Sequence, residues 1–179
     1  MSLIILDRDG VINHDSDEFI KSPAEWESIE GSLEAIARLN QAGYRVVVIT
    51  NQSGIARGLF NIETLTKIHS KMRRMLSQVG GKIEAILYCP HGPDDQCQCR
   101  KPQDGAFAEL ADRLRVDLTD IPAVGDSLRD LQAAQSAGAK AILVKTGKGE
   151  KTLAAGIPDN VEVYDDLAAV VTALLEPQL

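Results

Sequence analysis

The sequence predicts an α/β domain: a three-layer, Rossmann-like, mostly parallel sheet with helices on both faces. Three observations carry this. Short apolar runs alternate with amphipathic helical stretches along the 179 residues. The apolar runs lack the in–out alternation of a half-exposed strand, so both sheet faces are covered. Four of the five runs end in polar, chemically capable residues, as expected where active sites lie beyond the carboxyl ends of parallel strands.

The strands are read at Leu3–Leu6, 46–49, 85–87, 123–124 and 141–144. Leu33, Ile36 and Ala37 open a first helix that Gly43 is placed to end. Ile62, Leu65, Ile68, Met72 and Leu76 mark a second, with Asn61 as N-cap and Gly80 and Gly81 beyond it. Phe107, Leu110, Ala111 and Leu114 mark a third, and Leu128 and Leu131 begin a fourth that stops before Gly138. Leu167, Val170, Val171 and Leu174 mark the last, capped by Asp165 or a neighbour. No repeat or long linker interrupts this order, so residues 1–179 are read as a single domain, with a loop at 89–99 inserted after the third strand.

The composition narrows the function. A hydrophobic share of 44% is ordinary for a globular chain. The acidic excess, 26 against 19 and a formal charge of −7, argues against a nucleic-acid surface. No segment approaches the ~20 apolar residues of a membrane span, and the start meets Asp7 too early for a signal peptide. A cytoplasmic monomer acting on a small molecule is the expectation, without nucleic-acid or membrane partners.

Asp7 and Asp9 follow the first strand two residues apart, so both carboxylates can enter one site. A turn or a calcium loop would also use Asp-x-Asp-Gly. Two anions so close repel, and Mg²⁺, which favours carboxylates, waters and phosphate, would relieve that. Asp7 is read as a nucleophile that takes up a phosphoryl group, and Asp9 as general acid and then base. Asp7, Asp9 and Asp126 are the expected Mg²⁺ ligands, with Asp130 joining or orienting that shell. Thr50, at the end of the second strand, can hydrogen-bond a phosphoryl oxygen, and Lys101 can neutralise its charge.

Cys89, His91, Cys97 and Cys99 form the Cys₃His set of a closed structural Zn²⁺ site. Every cysteine of the chain stands at ligand spacing, in a loop with little to pack. Metal binding would order it and fix the Arg100–Lys101 pair that follows.

These residues carry a family resemblance. Asp7-Arg8-Asp9-Gly10-Val11, Thr50, Lys101 and the run from Gly125 to Asp130 stand in the order of the four motifs of the haloacid dehalogenase-like hydrolases. The zinc loop leading into Arg100-Lys101-Pro102 resembles the histidinol-phosphatase-type subgroup. The resemblance implies a capless, Mg²⁺-dependent phosphatase acting through an aspartyl phosphate. It also implies that Asp15, Ser16, Asp17 and Glu18 line the substrate entrance. Residues 51–58, including Asn51, Gln52 and Ser53, imply a heptose 1,7-bisphosphate cleaved at C7, in the supply of activated heptose for bacterial lipopolysaccharide. Histidinol phosphate is the competing substrate. Arg100 and Ser127 are the remaining substrate contacts so implied. Some members carry Lys where this chain has Ser127, which leaves one fewer cation there. A receiver domain also combines acids, Thr and Lys, but carries its phosphorylated Asp on a middle strand and has no place for a zinc loop.

His69 reads as a surface or packed histidine, and Trp26 as a packing anchor. Lys67, Lys71, Arg73 and Arg74 read as a solvated helix face; Lys145, Lys148 and Lys151 lie past the fifth strand, where they could face the site, and read first as surface lysines.

Overall fold

Each β-branched or leucine-rich run predicted as a strand pairs in parallel with its neighbours in a computed structural model, which describes residues 2–176. The strands are β1 (Leu3–Leu6), β2 (Arg45–Asn51), β3 (Ala85–Cys89), β4 (Pro122–Gly125), β5 (Lys140–Val144) and β6 (Glu162–Tyr164). Their order is β3-β2-β1-β4-β5-β6, all parallel. The helices are α1 (Ser32–Gln41), α2 (Ile62–Gln78), α3 (Gly105–Leu114), α4 (Leu128–Ser136), α5 (Gly149–Ala155) and α6 (Leu167–Leu175). We propose a single domain for the described residues; residue 1 and residues 177–179 lie outside them.

The two cores explain why the strands read as unbroken apolar runs. Ile4, Leu6, Val46 and Val48 pack against α1, α2 and α6, while Leu3, Ile5, Val47 and Ile49 pack against α3 and α4. Alternate residues thus bury on opposite faces. Asn61 caps α2, accepting from the Thr64 amide at 2.9 Å. For α6 the cap is Asp166, one residue beyond the first expected.

Two elements, β6 and α5, went unpredicted. Two expectations are corrected. β3 is half-exposed rather than covered on both faces. The basic residues of α2 are not uniformly solvated: Lys71 donates to the carbonyls of Pro23 and Trp26, and Arg73 to that of Ile83.

Candidate active site

β1 sits at the centre of the sheet, so its carboxyl end adjoins those of β2 and β4. Asp7, Thr50 and Asp126 are thereby brought to one edge. One ligand oxygen from each of Asp7, Asp126 and Asp130 lies within 4.8 Å of the others. Glycines make room for them. Gly10, at φ +85°, and Gly147 both pack on Asp126, and a Cβ at either would collide with its carboxylate.

Lys101, 3% exposed, reaches this cluster from the loop after β3. Its Nζ lies 2.8 Å from Asp130 Oδ1 and 3.1 Å from Asp7 Oδ1, and donates to the Ile49 carbonyl. Asn51 clamps its backbone: the side-chain amide donates to the Lys101 carbonyl and accepts from the Lys101 amide, both at 3.1 Å. Asp130 Oδ2 accepts from the amides of Asp126 and Ser127 and from the Ser127 hydroxyl.

The electrostatics fit a divalent cation. Burial, then the charge of Asp130, raises Asp7 to about 7 against the pull of Lys101. Burial, Asp130 and Asp7 together raise Asp126 to about 9. Burial also opposes ionisation of Asp130, but Lys101 outweighs it and holds Asp130 below the usual carboxylate range. Three carboxylates facing one ammonium leave an excess of negative charge that a small, hard cation would neutralise.

Asp9 stands apart from that cluster. Its Oδ1 accepts from Arg8 Nε (2.9 Å), Arg8 Nη2 (2.7 Å) and Asn13 Nδ2 (2.9 Å). Its Oδ2 accepts only from Gln52 Nε2, at 3.2 Å. Burial would raise this carboxyl, but the Arg8 charge and these hydrogen bonds keep it low. The expected carboxylate set of Asp7, Asp9 and Asp126 is therefore replaced, among the clustered oxygens, by Asp7, Asp126 and Asp130.

A cavity of about 220 Å³ opens over these groups. Of the expected substrate residues, Asp15, Ser16, Asp17, Asn51, Gln52, Ser53, Arg100 and Ser127 line it. Glu18 does not. Thr50 is buried behind the wall, its hydroxyl accepting from Gln52 Nε2 at 3.0 Å. Sequence reasoning missed Phe19, Arg57 and Arg129 among the lining residues, and Lys148, read first as a surface lysine, lines the cavity too. Lys148 Nζ pairs with Asp15 at 2.8 Å, and its amide donates to Asp126 Oδ2. Arg57 lies over the Phe19 ring, 5.4 Å from its centroid.

The cysteine loop folds onto itself. Cys89 Sγ lies 3.1 Å from Cys99 Sγ and 3.6 Å from Cys97 Sγ, and His91 Nδ1 lies 3.3 Å from Cys99 Sγ. The 3.6 Å sulfur–sulfur and 3.3 Å nitrogen–sulfur spacings are close to the edges of a tetrahedron around an ion with metal–sulfur bonds of ~2.3 Å, and the 3.1 Å sulfur pair is tighter than such an edge. The donor set of three sulfurs and one imidazole fits zinc and leaves no open position.

His69 is buried rather than on the surface, and stands 3.1 Å from Arg8 Nη1. Burial, then the Arg8 charge, lowers it from 6.5 to about 3. A histidine kept neutral in the fold but free to protonate when unfolded stabilises fully only above pH ~6.5. As pH falls from there toward 3, the unfolded chain binds the extra proton. This one group then removes up to about 1.4 kcal/mol of stability per pH unit. Urea midpoints measured from pH 7.5 to 5 are expected to fall more steeply for the wild type than for His69→Gln. Parallel slopes would show that His69 titrates normally.

Known proteins resemble this chain in sequence and fold. The model of the HAD-hydrolase-like family matches residues 98–170. A D-glycero-beta-D-manno-heptose-1,7-bisphosphate 7-phosphatase of Bordetella bronchiseptica is 60% identical over 177 residues, 98% of this chain and 99% of that protein. One from Pseudomonas aeruginosa is 52% identical over 98% of both chains. The crystal structure of the B. bronchiseptica D,D-heptose 1,7-bisphosphate phosphatase, complexed with magnesium and phosphate, superposes with a TM-score of 0.97 at 61% identity, covering 98% of each chain. That of the Burkholderia thailandensis enzyme gives 0.79 at 49% identity, covering 99% of this chain and all of that one. With relatives this similar over nearly its whole length, the chain belongs to the haloacid dehalogenase-like hydrolases.

Proposed function

We propose that this chain is a phosphatase that removes the C7 phosphate of D-glycero-D-manno-heptose 1,7-bisphosphate through an aspartyl phosphate on Asp7. The observation that carries the reading is a single cavity lined both by the cluster of Asp7, Asp126, Asp130 and Lys101 and by three arginines, Arg57, Arg100 and Arg129. Burial and the neighbouring charges of Arg129 and Arg57 lower the pKa of Arg100, as like charges gathered around one site do. Arg100 Nη1 is buried without a protein partner, and an unpaired buried donor calls for a ligand acceptor. A sugar with a phosphate at each end satisfies both regions. Arg129 also offers the cation that Ser127 does not. Asn51 is better read as the clamp on Lys101 than as a substrate contact, since both of its amide atoms are engaged there.

Mg²⁺, the ion of the B. bronchiseptica complex, would be held by Asp7, Asp126 and Asp130 and would offset charge on the phosphoryl group. Lys101 Nζ and the Arg8 amide hold Asp7 Oδ1, leaving Oδ2 to attack phosphorus. The bond from phosphorus to the sugar oxygen breaks, and its electron pair leaves on that oxygen. Asp9 Oδ2, the less encumbered oxygen, protonates it. Although Asp9 is ionised in the free enzyme, an incoming phosphate opposes that ionisation and brings a proton of its own, its second pKa being ~6. Asp9 Oδ2 then takes a proton from the water that attacks phosphorus, and Asp7 is released. Thr50 contributes through Gln52, which its hydroxyl helps to hold against Asp9.

The Cys89, His91, Cys97 and Cys99 loop would hold Zn²⁺ as a structural ion that orders the approach to Arg100. We read the enzyme as a cytoplasmic monomer acting on a dissolved sugar phosphate; among the described residues no helix is long and apolar enough to cross a membrane.

A turnover panel tests the substrate. kcat/KM for either heptose bisphosphate anomer should exceed that for histidinol phosphate and for fructose 1,6-bisphosphate. Arg100→Ala should erode that preference more than it lowers turnover of an aryl phosphate. Histidinol phosphate equalling the heptose would refute the substrate assignment.

A further inference from the structure

Asp9 is gripped by a guanidinium that is itself gripped from behind. Arg8 is completely buried. Two of its nitrogens, Nε and Nη2, converge on Asp9 Oδ1. The third, Nη1, lies 3.1 Å from His69 Nε2. Guanidinium nitrogens only donate, so His69 Nε2 must accept and its ring proton sits on Nδ1. We propose that His69 is a positioning residue for the acid–base step: by accepting from Arg8 Nη1 it fixes the guanidinium plane that holds Asp9 Oδ1 and presents Oδ2 to the leaving oxygen. The proposal rests on the reading of Asp9 as acid and base.

The guanidinium is planar and rigid, so anchoring one nitrogen sets the direction of the other two. The anchor is on a stiff support. His69 belongs to the buried face of α2 with Leu65, Ile68, Met72 and Leu76, in a 17-residue helix capped by Asn61. Removing the acceptor leaves a buried, charged N–H unpaired, and the guanidinium turns to find another partner. Asn13 Nδ2 and Gln52 Nε2 still touch Asp9, but neither supplies the paired donors that set the plane of its carboxylate.

An acid that protonates a leaving group matters only when the leaving group needs a proton. The test therefore compares kcat/KM on fructose 1,6-bisphosphate, an alkyl ester, with that on 2,4-dinitrophenyl phosphate, whose phenolate departs unprotonated. His69→Leu should lose ~10-fold or more on the alkyl ester and under ~3-fold on the aryl ester, a fraction of what acid–base assistance typically contributes. His69→Gln, whose Oε1 can accept from Arg8, should stay within ~3-fold on both. His69→Asn, folded but too short to reach Arg8, should behave as His69→Leu and serves if the leucine variant does not fold. Equal losses on the two esters, or failure of glutamine to rescue, would overturn the proposal. Asp9→Asn run alongside separates the two layers. If it discriminates between esters and the His69 variants do not, only the role of His69 falls. If it does not discriminate, the reading of Asp9 falls and takes this inference with it.

Discussion

Asp7→Asn is expected to lower kcat by at least ~10³-fold while leaving the fold and the thermal midpoint close to wild type. The amide is isosteric with the carboxylate but cannot form the aspartyl phosphate. It also weakens the ion pair to Lys101 Nζ, 3.1 Å away. Asp9→Asn should lose about as much, because its Oδ2 serves both halves of the cycle and acid–base assistance alone contributes ~10²–10⁴-fold. Burst measurements distinguish the two: only the Asp9 variant should retain slow phosphorylation by an activated aryl phosphate. Activity within tenfold of wild type in the Asp7 variant would remove it as the nucleophile.

Stripping the cysteine-loop metal is expected to produce the largest stability change. A structural zinc contributes many kcal/mol, and a chain of this size loses ~2–4 °C of Tm per kcal/mol, so Cys99→Ser should lower the midpoint by about 10 °C or more. Elemental analysis should find about one zinc per wild-type chain and less in the variant. The loss of function should be uneven. The Lys101 backbone is clamped by Asn51 as well as by the loop, whereas Arg100 is not. Bisphosphate selectivity should therefore fail before turnover of a simple aryl phosphate. A metal-free protein of unchanged stability and selectivity would count against a structural ion.

The carboxylates were legible from the sequence because a strand end is a local feature. Asp7 and Asp126 follow short apolar runs, and a parallel sheet gathers such ends at one edge. The cysteine loop was legible for a similar reason, all four ligands falling within eleven residues. The support behind Asp9 was not. His69 meets Arg8 across 61 positions of sequence, and nothing in the α2 sequence distinguishes a packed histidine there from a surface one. α5 was missed because Gly149-Glu150-Lys151-Thr152 shows no apolar period, yet this segment brings the Lys148 amide to Asp126 Oδ2 and the Thr152 hydroxyl to its carbonyl. Glu162-Val163-Tyr164 was too short and too polar to register as a strand. The direction of the Asp9 carboxylate was not legible either: two residues on one face of a strand end need not turn to the same partner, and the buried Arg8 holds Asp9 Oδ1 away from the clustered oxygens of Asp7, Asp126 and Asp130.

The central place of β1 bears on how the protein acquires its activity. Ile5 and Leu6 pair with Ala123 and Val124, segments separated by most of the chain's length, while the β1–β2 pairing joins Leu3 to Arg45 and Leu6 to Val48. Closing the longer loop costs more entropy before any contact repays it. Until β4 docks beside β1, Asp7 lacks Asp126 and Asp130, so the carboxylate cluster that would hold the cation forms only with this long-range pairing.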